Sequence, residues 1–96
     1  MNEEMQNSII KDVANIQKLV IDMNVKVDRA KTDLENGTIN EDEYTVAVDE
    51  ATNKIRQGIV RLKFVVANFE TLFESYPTEV IEWWRDMISA MEMMLQ

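Results

Sequence analysis

The first third of the chain carries apolar residues at alternating steps of three and four. Between residues 9 and 34 the steps run 4, 3, 4, 3, 4, 3, 4 without a break. This is the 3.5-residue period of helices that pack side by side as in a coiled coil. The pattern predicts one long helix over about residues 7–35. Its buried line consists of Ile9, Val13, Ile16, Val20, Met23, Val27, Ala30 and Leu34.

A second, weaker apolar line lies on the same predicted helix. It runs through Ile10, Ala14, Ile21 and Val25. A single neighbouring helix would cover the first line and leave the second in water. The first helix is therefore expected to need more than one neighbour.

The residues after the first helix carry the signals of a tight turn and a new helix start. Gly37 suits the left-handed position that follows a helix end. Asn40 is a predicted N-cap, and Glu43, three residues on, completes a capping box. Ile39 and Tyr44 stand where a hydrophobic staple places its two apolar side chains. These signals agree on a second helix that begins at about residue 41.

The second helix repeats the rhythm of the first and is expected to reach about residue 74. A short connection makes the two helices antiparallel. Gly58 falls on the apolar line, which indicates either a close approach of another helix or a local bend, with a hinge as the alternative. The line itself consists of Tyr44, Val48, Ala51, Ile55, Gly58, Leu62, Val65, Phe69 and Leu72.

Charge placement agrees with an antiparallel hairpin. Folding about the turn brings the basic residues Lys26, Arg29 and Lys31 beside the opening of the second helix. That opening is acidic, with Glu41, Asp42, Glu43, Asp49 and Glu50. Exposed ion pairs are each worth about 1 kcal/mol or less, so these charges are expected to set register more than stability.

The segment from Ser75 to Pro77 is expected to end the second helix, because proline does not continue a helix interior. A third helix then covers about residues 78–95, and it is apolar around most of its circumference. The fold prediction is a single all-α domain over residues 1–96. It consists of a long antiparallel hairpin and a shorter C-terminal helix with coiled-coil-like packing.

Composition excludes several classes of function. The 96 residues include no histidine and no cysteine, so the usual zinc, haem and iron–sulfur ligands are missing, as are disulfides. The formal net charge of −8 disfavours binding to nucleic acid or to anionic lipid. The N-terminus is acidic, and no apolar run reaches the ~18 residues of a membrane span. We therefore expect a cytoplasmic protein that binds neither nucleic acid nor membrane.

The turn can also be tested as a calcium loop. With Gly37 as the sixth position, Asn36, Ile39 and Glu43 match the EF-hand pattern. The first and third positions are then Thr32 and Leu34, and leucine offers no oxygen ligand. The remaining carboxylates lie at polar positions of the helix pattern, where solvated faces are expected. No metal, no cofactor and no catalytic residue is predicted, and an enzyme is not expected.

The third helix is the candidate partner surface. Tryptophan and methionine are enriched in the cores of protein interfaces, and methionine adapts to varied partners. The alternative is that this helix forms part of the chain's own core. The candidate partner-binding residues are Trp83, Trp84, Met87, Met91 and Met94. The excess of apolar faces also leads us to expect a homodimer, with a four-helix core and two added helices.

In length, acidity, lack of cysteine and hairpin plan, the chain resembles the small helical partners of type VII secretion. Those proteins carry a Trp-x-Gly motif in the central turn, whereas the turn here reads Glu35-Asn36-Gly37-Thr38. The two tryptophans lie in the third helix instead. The resemblance implies a shared helical plan and a role as a small protein partner, and it carries over no site residues.

The expected function is non-enzymatic binding of another protein, as a small adaptor, assembly factor or inhibitor, through the apolar third helix and faces of the hairpin. Two alternatives remain open. One is an acidic nucleic-acid mimic of the phage type that inhibits a DNA- or RNA-binding enzyme. The other is a structural coiled-coil component of a larger assembly, or a small partner like those of type VII secretion.

Overall fold

The computed structural model describes residues 3–72 and 78–95, and these are helical apart from one turn and the helix junctions. Helix α1 spans Glu3–Glu35 and helix α2 spans Glu41–Ala67. A single helical turn, α3, covers Phe69–Leu72, and helix α4 spans Thr78–Met94. The described residues contain no strand. The prediction of an all-α hairpin followed by a shorter helix is confirmed.

Two boundaries differ from the prediction. Helix α1 begins at Glu3, about one turn earlier than expected. Helix α2 ends at Ala67 and does not continue to residue 74. The helix ends at Asn68, whose φ of −106° and ψ of 12° depart from helical values and whose side-chain amide donates to the carbonyl oxygen of Phe64 at 2.8 Å. Asparagine side chains compete with the helical ladder in this way. The predicted break from Ser75 to Pro77 lies outside the described residues.

The predicted apolar lines form the core. Ile9, Val13, Ile16, Met23 and Ala30 of α1 are buried, and Val20, Val27 and Leu34 are half-buried. On α2 and α3 the buried members of the line are Ala51, Ile55, Gly58, Leu62, Val65 and Phe69, while Tyr44 and Val48 are half-buried. The side chain of Leu72 lies outside the described part. Each large aliphatic side chain buried this way contributes about 1.5–3 kcal/mol, and this burial holds the hairpin together.

The turn between α1 and α2 has the predicted chemistry. Gly37 has a φ of +74°, the left-handed conformation that glycine adopts without a steric penalty. The N–H of Thr38 donates to the carbonyl of Asp33 at 2.8 Å and that of Gly37 to Leu34 at 3.1 Å, which is a Schellman motif. The N–H of Glu43 donates to Oδ1 of Asn40 at 2.8 Å, and Oε1 of Glu43 accepts from the N–H of Asn40.

Ion pairs fix the register of the hairpin at two levels. Nζ of Lys26 lies 3.2 Å from Oε2 of Glu50, one of the pairings that the sequence predicted. Nearer the other end, the guanidinium of Arg61 lies 2.9 Å from Oδ2 of Asp12. All four side chains are at least 40% exposed, so these pairs stabilise the register and add little to the free energy of unfolding.

Helix α4 packs against the end of the hairpin away from the turn, mainly on α2. Its 17 residues span about 25 Å, half the length of α1. Gly58 is the point where three helices meet. A Cβ atom placed on Gly58 would lie 3.1 Å from Cε of Met91 on α4 and 3.2 Å from Cγ2 of Ile16 on α1. Gly58 therefore lies at a close approach of helices, which is one of the interpretations that the sequence offered for this glycine.

Replacing Gly58 with leucine should lower the free energy of unfolding by about 1–3 kcal/mol, because the added side chain overpacks the three-helix junction. Urea denaturation followed by circular dichroism measures the change. Val60→Leu is the matched control, since Val60 is 69% exposed on the same helix and its variant should stay within about 0.5 kcal/mol of the parent. Equal stability of the Gly58→Leu variant and the parent would contradict this packing.

Substitutions at Gly37 test the left-handed backbone conformation of glycine. No atom lies within 4 Å of a Cβ placed there, so a side chain has room and is disfavoured only by the backbone conformation. We expect Gly37→Ala to lower the free energy of unfolding by about 1 kcal/mol, and Gly37→Asn to lower it less, because asparagine tolerates the left-handed region. The same denaturation experiment checks this order, and a more stable alanine variant would contradict it.

Candidate protein-binding groove

Helix α4 turns one apolar face into the core. Trp84, Ile88 and Met91 are buried, with exposed fractions of 3%, 7% and 1%. The indole of Trp84 meets the ring of Phe69 edge to face, with 6.1 Å between ring centroids and 80° between planes. These side chains attach α4 to α2 and α3.

The structure separates the five predicted partner-binding residues. Trp84 and Met91 are core residues, with exposed fractions of 3% and 1%, so each offers a partner very little surface. Met87 and Met94 are half-buried against the core. Trp83 is 59% exposed. The reason is helical geometry: neighbouring residues project about 100° apart, so Trp83 and Trp84 face different sides of α4.

Trp83 forms one wall of an apolar groove between α1 and α4. The groove has a volume of about 220 Å³. Its α4 wall is made by Val80, Trp83 and Trp84, and its α1 wall by Ile10, Val13, Ala14 and Gln17. Gln17 is the only polar residue among these seven. Concave sites that are mostly apolar with few polar groups are the usual places for binding.

Half of the α1 wall comes from the second apolar line of that helix. Ile10 and Ala14 line the groove, while Ile21 and Val25, further along, are 62% and 52% exposed. The sequence predicted contact through α4 and faces of the hairpin, but it assigned no site residue to α1. The second apolar line indicated an exposed apolar face on α1. Its role as a groove wall could be recognised only once the position of α4 on the hairpin was known.

The groove has an acidic border on α4. Glu79 and Asp86 stand four residues before and three after Trp83, so they share its side of the helix. Arg85, two residues after Trp83, projects to the other side. Neither acid forms an ion pair with any residue in ranges 3–72 and 78–95. The one α4 acid that is paired there, Glu92, lies 3.6 Å from Nζ of Lys63.

The outer face of α2 differs from the rest of this acidic chain. Residues 51–68 contain four basic residues and no acidic one. Val60 and Phe64 are 69% and 51% exposed there, and the guanidinium of Arg61 lies 5.4 Å from the centroid of the Phe64 ring. The surface is therefore divided between an acidic α4 and a basic second half of α2, and it is not uniformly negative.

Perturbed titratable side chains and clustered carboxylates are the usual components of catalytic and metal sites. Within 3–72 and 78–95 every buried residue is apolar or glycine, and no polar or charged side chain is buried. In the same part of the chain, no three Asp or Glu side chains cluster as a metal site would require. None of the described helices has the length and apolar character needed to cross a bilayer. The apolar groove is the feature best suited to a function.

Adjacent tryptophans with opposite surroundings give a direct test. Trp84→Ala should lower the free energy of unfolding by about 3–5 kcal/mol, because it leaves a cavity beside Phe69. Trp83→Ala should change it by less than about 1 kcal/mol, because the side chain is mostly in water. Denaturation at low protein concentration measures both. Equal losses for the two variants would place Trp83 in the core and remove the groove.

The sequence matches no family model, and it has no match among curated proteins or solved structures. The function is therefore argued from the side chains of this chain alone.

Proposed function

We propose that this chain is a non-enzymatic protein-binding module that contacts its partner through the groove between α1 and α4. It would act in the cytoplasm as a small adaptor, assembly factor or inhibitor. The observation that carries the proposal is Trp83, a 59% exposed tryptophan at the wall of an apolar groove. Tryptophan is the residue type most often responsible for binding energy in protein interfaces.

The energetics of the groove support this reading. While Trp83 and Ile10 stay in water, the chain lacks roughly 25 cal/mol of stabilisation for each Å² of apolar surface that a partner could cover. Both residues line the groove, one on α4 and the other on α1, so one partner helix can cover them together. An amphipathic helix laid into an apolar groove is a recurrent mode of peptide recognition.

The nucleic-acid mimic has less support. A mimic needs an extended acidic face, but α2 presents Lys54, Arg56, Arg61 and Lys63 with no acid between residues 51 and 68. The acids that open α2 are already accounted for, because Asn40 and Glu43 form the capping box and negative charge favours a helix N-terminus.

A photo-crosslinking amino acid at Gln17 tests the proposal. Gln17 lines the groove, so a bound protein should be trapped from this position, and the matched control places the same crosslinker at Phe64 on the outer face of α2. We expect protein adducts from position 17 at several times the yield from position 64. Trp83→Ala should reduce the position 17 adducts at least tenfold, the effect of losing about 1.4 kcal/mol of binding.

Adduct mass separates the possible partners, since a self-adduct has about twice the 11.2 kDa of one chain. Equal, low yields from positions 17 and 64 would remove the proposal. Undiminished adducts in the Trp83→Ala variant would show that the groove does not use its tryptophan.

A further inference from the structure

We infer that the occupant of the groove is a second copy of this chain, packed antiparallel with α1 against α1. The inference rests on the proposed function, because it names the partner of the same groove. The observation that carries it is a stripe on the exposed side of α1 whose spacing, and whose three outer residue types, are the same from either end. The stripe consists of Glu3, Asn7, Ile10, Ala14, Gln17, Ile21, Asn24 and Asp28.

The symmetry of the stripe is in both spacing and chemistry. The steps are 4, 3, 4, 3, 4, 3, 4, which is unchanged on reversal. From either end the order is an acid, an asparagine and an isoleucine, with Ala14 and Gln17 in the middle. All eight residues are exposed, and the six central ones carry no charge.

An antiparallel copy places matching residues opposite one another. With a two-fold axis between Ala14 and Gln17, Ile10 of each copy meets Ile21 of the other, and Asn7 meets Asn24. Such self-complementarity is what a two-fold interface requires, since each copy uses the same patch. Facing asparagines can hydrogen-bond through their amides, and polar residues of this kind specify register in helix pairs.

The groove explains how α4 joins the interface. Trp83 lies at the level of Ile10 and Ala14, because all three line the groove. In the antiparallel register this is also the level of Ile21 from the other copy. Trp83 therefore flanks the pair of isoleucines and shields it from water on the α4 side.

The area predicts a weak dimer. From Asn7 to Asn24 the stripe is about 26 Å long, and two adjacent helices are about 20 Å wide. This gives about 500 Å² for each copy and about 1,000 Å² in total, at the lower limit for a specific interface. Glu3 and Asp28 face each other at the two ends, where like charges limit further overlap. We expect dissociation in the micromolar range.

Cysteine pairing tests the register directly, because the native chain contains no cysteine. Asn7→Cys and Asn24→Cys chains are prepared separately and mixed under mild oxidation. We expect a disulfide dimer only in the mixture, since residues 7 and 24 of one α1 are about 26 Å apart. Two cysteines whose Cα atoms are more than about 7 Å apart cannot be bridged. A mixture of Val60→Cys and Asn24→Cys is the matched control and should form no disulfide-linked dimer.

Sedimentation equilibrium of the native chain supplies the second measurement. We expect a monomer–dimer equilibrium that Ile21→Glu shifts at least tenfold toward monomer without loss of helicity, because Ile21 is 62% exposed in the monomer. Val60→Glu, at a site on α2 that is 69% exposed, should leave the equilibrium unchanged.

Homodisulfides of each single variant would indicate a parallel pair and overturn the register. A native chain that stays monomeric above 100 times the expected micromolar range, with no disulfide in the mixture, would overturn the dimer. If the crosslinker at Gln17 then still traps a different protein, the proposed function stands with another occupant. If it traps nothing, both proposals fail.

Discussion

Everything in this structure depends on how closely α2 can approach α1 and α4 at Gly58. Because this residue lacks a side chain, Ile16 and Met91 both reach the backbone of α2 at the same point. Without that approach α4 would stand further from the hairpin, and Trp84 would no longer fill the space beside Phe69. The helix-breaking cost of glycine, about 1 kcal/mol relative to alanine, is offset by the packing of three helices.

The groove is a consequence of the same arrangement. Helix α4 packs mainly on α2, where Met91 contacts Gly58. In this position α4 covers only part of α1. The uncovered strip of α1 and the outer side of α4 then form two walls that no third element of the described chain fills. Trp83 is exposed because Trp84, its neighbour in sequence, already occupies the inward direction. The position of α4 therefore determines both which residues form the core and which residues line the groove.

Much of the fold could be predicted from the sequence, because each helix carries a regular apolar period and the turn combines a left-handed glycine with a capping box. The end of α2 at Asn68 could not be predicted, because the apolar period continues through this residue. The side-chain amide of Asn68 donates to the carbonyl oxygen of Phe64, and the period does not report such a bond. The candidate site was predicted in part. Composition indicated α4 as the candidate surface. Which of Trp83 and Trp84 is exposed depends on the side of α4 that packs on the hairpin, and the apolar period does not report that side.

The shortness of α4 has a consequence for the stability of the rod along its length. The molecule measures 53 × 24 × 16 Å, and α4 supports only the end away from the turn. The turn end is two helices thick, with Val46 and Val25 more than half exposed. Amide hydrogens there should exchange through local opening at a lower free energy than those near Leu62 and Val65, which are fully buried. The two ends of one continuous hairpin would thus behave as separate cooperative units.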